Sequence, residues 1–117
     1  MKNFWGIFTL LFSMPLLAQG FLPATDDIPL MQGLYSVEET ASFDNPSEKM
    51  VLITAQTDKT VKEVESFYRQ SLINLGWSVL DGNNYFRGLD ILKMEFSSNS
   101  VPVTVQFTLI QKNESFL

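Results

Sequence analysis

Residues 60–77, TVKEVESFYRQSLINLGW, decide the fold of this chain. Thr60 and Glu63 have the spacing of a capping box, in which each side chain binds the other residue's backbone amide at the start of a helix. Gly76 suits the left-handed position that follows the end of a helix. Between them, apolar residues recur at helical spacing and predict one apolar stripe: Val61, Val64, Phe67, Tyr68, Leu72 and Leu75. We therefore predict one amphipathic helix that packs on a sheet.

The sequence before this helix begins with the pattern of a secretory signal peptide. Residues 1–3 are short and basic, residues 4–17 are largely apolar, and Ala18-Gln19-Gly20 places small residues at both ends of a cleavage motif. An apolar run of about fourteen residues is shorter than the roughly 20 that span a bilayer. We predict a signal peptide over residues 1–20 that is cleaved after Gly20, with no stable membrane span afterwards. A retained N-terminal anchor is the alternative.

The rest of the chain has room for one domain. We assign residues 21–39 to a leader and apolar arm, residues 40–112 to a single domain, and residues 113–117 to a tail. Within the arm, residues 28–34 (IPLMQGL) are too apolar to remain in water. One interpretation is that this segment docks within its own chain, on the sheet face opposite the helix. The other is that it forms an exposed apolar patch for a partner.

Strand patterns flank the helix on both sides. The run at residues 50–53 is apolar on both faces, which predicts a central strand covered on both sides. After the helix, Asp81-Gly82 is a strong hairpin signal, and residues 101–109 alternate between apolar and polar side chains. Because every connection between strands is short, the pairing is antiparallel. The predicted fold is α+β, a two-layer sandwich in the order β-β-α-β-β-β-β.

Composition excludes several classes of function. The chain has no histidine and no cysteine, so it cannot form the usual zinc or copper sites, Ser-His-Asp triads or thiol nucleophiles. Its net charge is −5, which argues against nucleic acid or anionic lipid as a partner. The basic residues after residue 20 are scattered along the sequence: Lys49, Lys59, Lys62, Arg69, Arg87, Lys93 and Lys112. We predict no catalytic residue, no cofactor and no metal site.

Aromatic residues at the helix end and in the following hairpin are the remaining candidates for function. Aromatic side chains and arginine are enriched in binding hot spots. Together with the arm, they predict an interaction patch of Tyr68, Tyr85, Arg87, Leu30 and Met31. The alternative is that the aromatic residues belong to the core, with their polar atoms at its rim.

Two motifs resemble those of small exported α+β proteins of proteobacteria, most of which are uncharacterised. The first is Phe67-Tyr68-x-x-x-Leu72-x-x-x-Gly76-Trp77. The second is residues 28–34 followed by Phe43-Asp44-x-Pro46. The resemblance covers nearly all of the chain after residue 20 and implies a bacterial origin and the periplasm. It carries no catalytic residue.

We therefore expect a periplasmic, non-catalytic binding or interaction module whose partner is an unknown envelope protein. A carrier of a small apolar ligand is one alternative, and a carboxylate-dependent hydrolase is another. A carrier needs a cavity between helix and sheet. In an interaction module the same space is filled by side chains such as Phe67, Leu72, Phe96 and Phe107.

Overall fold

The computed structural model describes residues 18–25 and 27–113. Most of the predicted signal peptide and of the predicted tail therefore lies outside the described residues. No helix in the described part is long and apolar enough to cross a bilayer. The elements of this part are β1 (Ala18–Phe21), β2 (Pro29–Met31), β3 (Leu34–Asp44), β4 (Glu48–Thr57), α1 (Val61–Asn74), β5 (Ser78–Asp81), β6 (Asn84–Arg87), β7 (Asp90–Phe96) and β8 (Val103–Lys112).

Six strands form one antiparallel sheet in the order β3-β4-β8-β7-β6-β5. Its longest pairing is that of β4 with β8, which runs without interruption from Glu48 opposite Lys112 to Thr57 opposite Val103. The helix packs against this sheet, so the predicted α+β sandwich is confirmed. The order β-β-α-β-β-β-β describes β3 to β8. The structure adds a separate antiparallel hairpin, β1–β2, before them.

The capping box is present at the start of α1. The Thr60 hydroxyl accepts a hydrogen bond from the Glu63 amide at 3.1 Å, and the Glu63 carboxylate accepts one from the Thr60 amide at 2.8 Å. The bond from the Thr60 amide lowers the pKa of Glu63. Val64, Tyr68 and Leu72 of the predicted stripe are fully buried. Leu75 is instead 44% exposed, because the helix ends at Asn74 and leaves it as the cap residue.

The helix covers one face of the sheet, which we call the inner face. Alternate residues of β4 and β8 are buried there: Val51, Ile53, Ala55, Val103, Val105, Phe107 and Leu109. The residues between them point to the other side, the open face, and none of those in β4, β7 or β8 is buried. The prediction that residues 50–53 are covered on both faces is therefore wrong for the described part of the chain. Met50 and Leu52 are only half-buried.

The apolar arm packs beside α1. Leu22, Ile28, Met31 and Leu34 are buried in the same core as the helix residues. The Tyr68 hydroxyl donates a hydrogen bond to the Pro29 carbonyl at 2.7 Å and accepts one from the Met31 amide at 3.1 Å. The prediction that the arm docks within its own chain is confirmed. The predicted face is wrong, because these bonds hold the arm on the inner face with the helix.

The arm and the domain share one core. β3 begins at Leu34, so it runs through the boundary that we placed between residues 39 and 40. β1 contains the predicted cleavage motif, and its Ala18 lies opposite Met31 of β2. Cleavage after Gly20 would remove most of β1, but Leu22, Ile28 and Met31 would stay in the chain.

Candidate functional site

The residues of the predicted interaction patch lie in different environments. Tyr68 and Tyr85 are 0% exposed and Met31 is 1% exposed, so these three side chains belong to the core. Leu30 and Arg87 are half-buried and keep some contact with solvent. The structure therefore does not gather the five residues into one surface patch.

Arg87 fastens the arm to the sheet. Its guanidinium lies 4.5 Å from the centre of the Trp77 ring, forms an ion pair with Asp27 and donates a hydrogen bond to the Leu75 carbonyl at 3.3 Å. An arginine stacked on an aromatic face gains a cation–π interaction as well as its hydrogen bonds. Because Asp27 and Arg87 are 60 residues apart in sequence, no local pattern could have found this pair.

Asp90 lies opposite Arg87 in the pairing of β6 with β7. Burial raises the pKa of Asp90. The positive charge of Arg87 lowers this pKa and the negative charge of Asp27 raises it, and the net shift is upward. The fold thus brings the carboxylates of Asp27 and Asp90 close together, and the guanidinium of Arg87 interacts with both. This arrangement suits a structural ion cluster better than an acid–base pair, because Arg87 forms an ion pair with Asp27 and its charge also acts to lower the pKa of Asp90.

Side chains fill the space between α1 and the sheet. The Tyr68 ring lies edge-on to Phe107, with centroids 5.3 Å apart, and edge-on to Phe67 at 4.8 Å. Leu72 and Phe107 are fully buried, and Phe67 and Phe96 pack against the same core. The four residues that we expected to fill this space in an interaction module therefore do so.

The open face carries a row of apolar side chains that crosses five strands. Residues paired across antiparallel strands point to the same side of a sheet, so the row follows from the register. Phe43 pairs with Met50, Met50 with Ile110, Ile110 with Ile91, and Ile91 with Phe86. Phe43 and Phe86 at the two ends are 55% and 38% exposed, and the three between them are half-buried. We call these five residues the apolar row.

Polar side chains flank most of the apolar row on the open face, and the half-buried Leu52 of β4 lies beside Met50. On one side, Glu48 lies opposite Lys112. On the other side, Lys93 and Glu95 of β7 are exposed. Beyond them the face is uncharged along β4 and β8, where it presents Thr54, Gln56, Thr104 and Gln106. An apolar stripe rimmed by polar residues is typical of an interaction site.

A second, polar groove lies between α1 and the turn after β5. Arg69 donates a hydrogen bond to the Gly82 carbonyl at 3.2 Å, and Asn83 donates one to Glu65 at 2.8 Å. These bonds tie the turn to the helix, which gives the groove a structural explanation. Among the described residues, no three acidic side chains are close enough to hold a metal ion.

In comparisons with known proteins, no family model, curated protein or solved structure matches this chain. The resemblance to small exported proteins of proteobacteria therefore stays a prediction. The apolar row of the open face is the candidate site, and it rests on the register and exposure of its five residues.

Proposed function

We propose that this chain is a non-catalytic binding module of the bacterial periplasm that contacts its partner through the apolar row. The observation that carries the proposal is a line of five large apolar side chains on a sheet face that no other described residue covers. Contiguous exposed apolar surface is costly in water, and in soluble proteins it marks interaction sites. The polar rim keeps the free protein soluble and fixes the orientation of the bound partner.

The packing of the core favours this function over a carrier of a small apolar ligand. A carrier needs an enclosed apolar cavity of several hundred Å³. Here Tyr68, Leu72 and Phe107 occupy the space between helix and sheet. The hydrolase alternative needs two carboxylates with separated pKa values and different roles. Asp27 instead forms an ion pair with Arg87, which also faces Asp90.

The periplasmic part of the proposal rests on the signal peptide pattern. Loss of residues 1–20 removes Lys2 and no acidic residue, so it lowers the net charge of −5 by one unit. We expect the exported protein to begin at Phe21 and to be released by osmotic shock. An intact mass that includes residues 1–20 would contradict cleavage.

Site-specific photo-cross-linking in living cells tests the binding face. A photoreactive phenylalanine analogue replaces Phe43 or Phe86 at the ends of the apolar row. It replaces Ile73, which is 49% exposed on the helix side, as the matched control. We expect a discrete cross-linked product from Phe43 and Phe86 and none from Ile73.

Products from Ile73 alone would place the binding surface on the helix side and overturn the proposal. An absence of products from all three positions, with the protein present in the periplasm, would also overturn it.

A further inference from the structure

We infer that the apolar row binds a second copy of this chain, so that two open faces pack on each other as a two-fold symmetric dimer. This inference rests on the proposed use of the open face for binding, and it names the partner. Three features of the open face favour a second copy: its area, the symmetry of the apolar row and the distribution of charge around it.

The open face has at most the area that one partner contributes to a standard protein interface. The face has six strands about 4.8 Å apart, and its ten-residue strands rise about 3.3 Å per residue, which gives about 24 Å by 33 Å. The product is about 800 Å² per copy, the area that each partner contributes to a standard specific interface. Because β5 and β6 have only four residues each, this value is an upper limit.

The apolar row is complementary to itself. A two-fold axis that runs along the row, parallel to the sheet, places each residue of the row opposite its own counterpart. Ile110, on the central strand β8, then faces Ile110 of the other copy, and the phenylalanines at the two ends also meet in pairs. The same axis keeps the strands of both sheets aligned, which is a common geometry for sheets packed face to face. The symmetry is that of the commonest homo-oligomer.

The charges around the row permit close approach of two copies. No residue of the row is charged, and the nearest charged side chains have both signs, with Lys112 beside Glu48 and Lys93 beside Glu95. Burial of isolated charge is therefore avoided at the centre of the interface. At the rim, Glu48 and Lys112 lie opposite each other within each copy, so neither is an isolated charge.

Pairing through the free edge of β3 is a less favourable route to a dimer. Its pairing with β4 is interrupted between Tyr35 and Glu38 and again between Glu39 and Ala41. Bulges and charged residues of this kind are how proteins block edge-to-edge association. Only the four residues after Thr40 are left as a regular edge.

Single cysteines test the geometry, because the chain has none of its own. The full chain is expressed, and the exported protein is purified as Ile110→Cys or as Ile73→Cys. Each variant is treated with a short bismaleimide, and the covalent dimer is measured on denaturing gels. We expect Ile110→Cys to form covalent dimer at least tenfold faster than Ile73→Cys, since only the first pair of thiols faces across the two-fold axis.

Sedimentation equilibrium of the unmodified protein gives the association constant. We expect a mass that approaches the dimer with rising concentration, and an association constant lowered at least tenfold by Ile91→Lys but unchanged by Ile73→Lys. Circular dichroism melts verify that each variant is folded. Phe43→Ser replaces Ile91→Lys if the latter fails to fold.

A monomer at every concentration, or equal cross-linking of the two cysteine variants, would overturn the dimer. If photo-cross-links from Phe43 then contain a different protein, the dimer is wrong and the proposed binding function stands. If Phe43 and Phe86 give no products, the binding function also fails.

Discussion

The two faces of the central sheet use the same alternating strands for different purposes. On the inner face, β8 buries Val103, Val105, Phe107 and Leu109 beneath the helix and the arm. On the open face, the same strand presents Thr104, Gln106, Thr108 and Ile110 in half-buried positions. The inner face is a filled core, whereas the open face is largely polar outside the apolar row and Leu52. The inner face therefore holds the core of the fold, and the open face is the one through which we propose that a partner binds.

The largest expected effect separates the two faces within one strand. Phe107→Ala removes a fully buried ring that touches Tyr68, and we expect a loss of about 3–5 kcal/mol in the free energy of unfolding. Ile110→Ala, three residues on and on the open face, should cost about 1 kcal/mol, because its site is only partly buried. Urea unfolding of both variants gives the two values. Equal losses would show that the open face is as important to folding as the inner face.

The next effect concerns the attachment of the arm to the inner face. Tyr68→Phe keeps the ring but leaves the Pro29 carbonyl and the Met31 amide without their partner, so we expect a loss of about 1–3 kcal/mol. Tyr35→Phe is the control, since its hydroxyl bonds Asp58 at an exposed site, and it should change stability by less than about 0.5 kcal/mol. A loss no greater than that of the control would mean that the two hydrogen bonds do not hold the arm.

Ionisation of tyrosine provides a second measure of the same attachment. Burial raises the pKa of the Tyr68 hydroxyl strongly and also raises that of Tyr85. An absorbance titration should therefore show Tyr68 ionising only when the protein unfolds in alkali, and Tyr85 ionising above its ordinary pKa. If all three tyrosines ionised near the ordinary pKa of about 10, the helix and the arm would not be packed as described.

The sequence predicted local features well and long-range ones poorly. The capping box at Thr60 and Glu63 and the hairpin at Asp81-Gly82 depend on neighbouring residues, and both are present. The face on which the arm docks depends instead on a bond between Tyr68 and Pro29, 39 residues apart. The apolar row depends on the order of strands in the sheet, and alternation within one strand does not predict that order. Phe43 and Phe86 therefore could not be placed on the same line from their sequence context.

The smallest expected effect is at the ion cluster that fastens the arm. Since burial raises the pKa of Asp90, the stability that this residue contributes is present below its ordinary pKa and is lost as pH rises through the raised value. Asp90→Asn should therefore give a slightly higher melting temperature than the unmodified protein at pH 7 and little difference at pH 3. A lower melting temperature of the variant at pH 7 would mean that the attraction of Asp90 to Arg87 outweighs the cost of its burial.

The most direct test of the different uses of the two faces is urea unfolding of the double variant Ile91→Thr, Ile110→Thr. Threonine suits a strand and is compatible with an exposed sheet face. We expect the free energy of unfolding to remain within about 1 kcal/mol of the unmodified protein when both are measured as monomers. A loss of 3 kcal/mol or more, on the order of that for a buried inner-face residue, would contradict the account and show that the apolar row is part of the folded core.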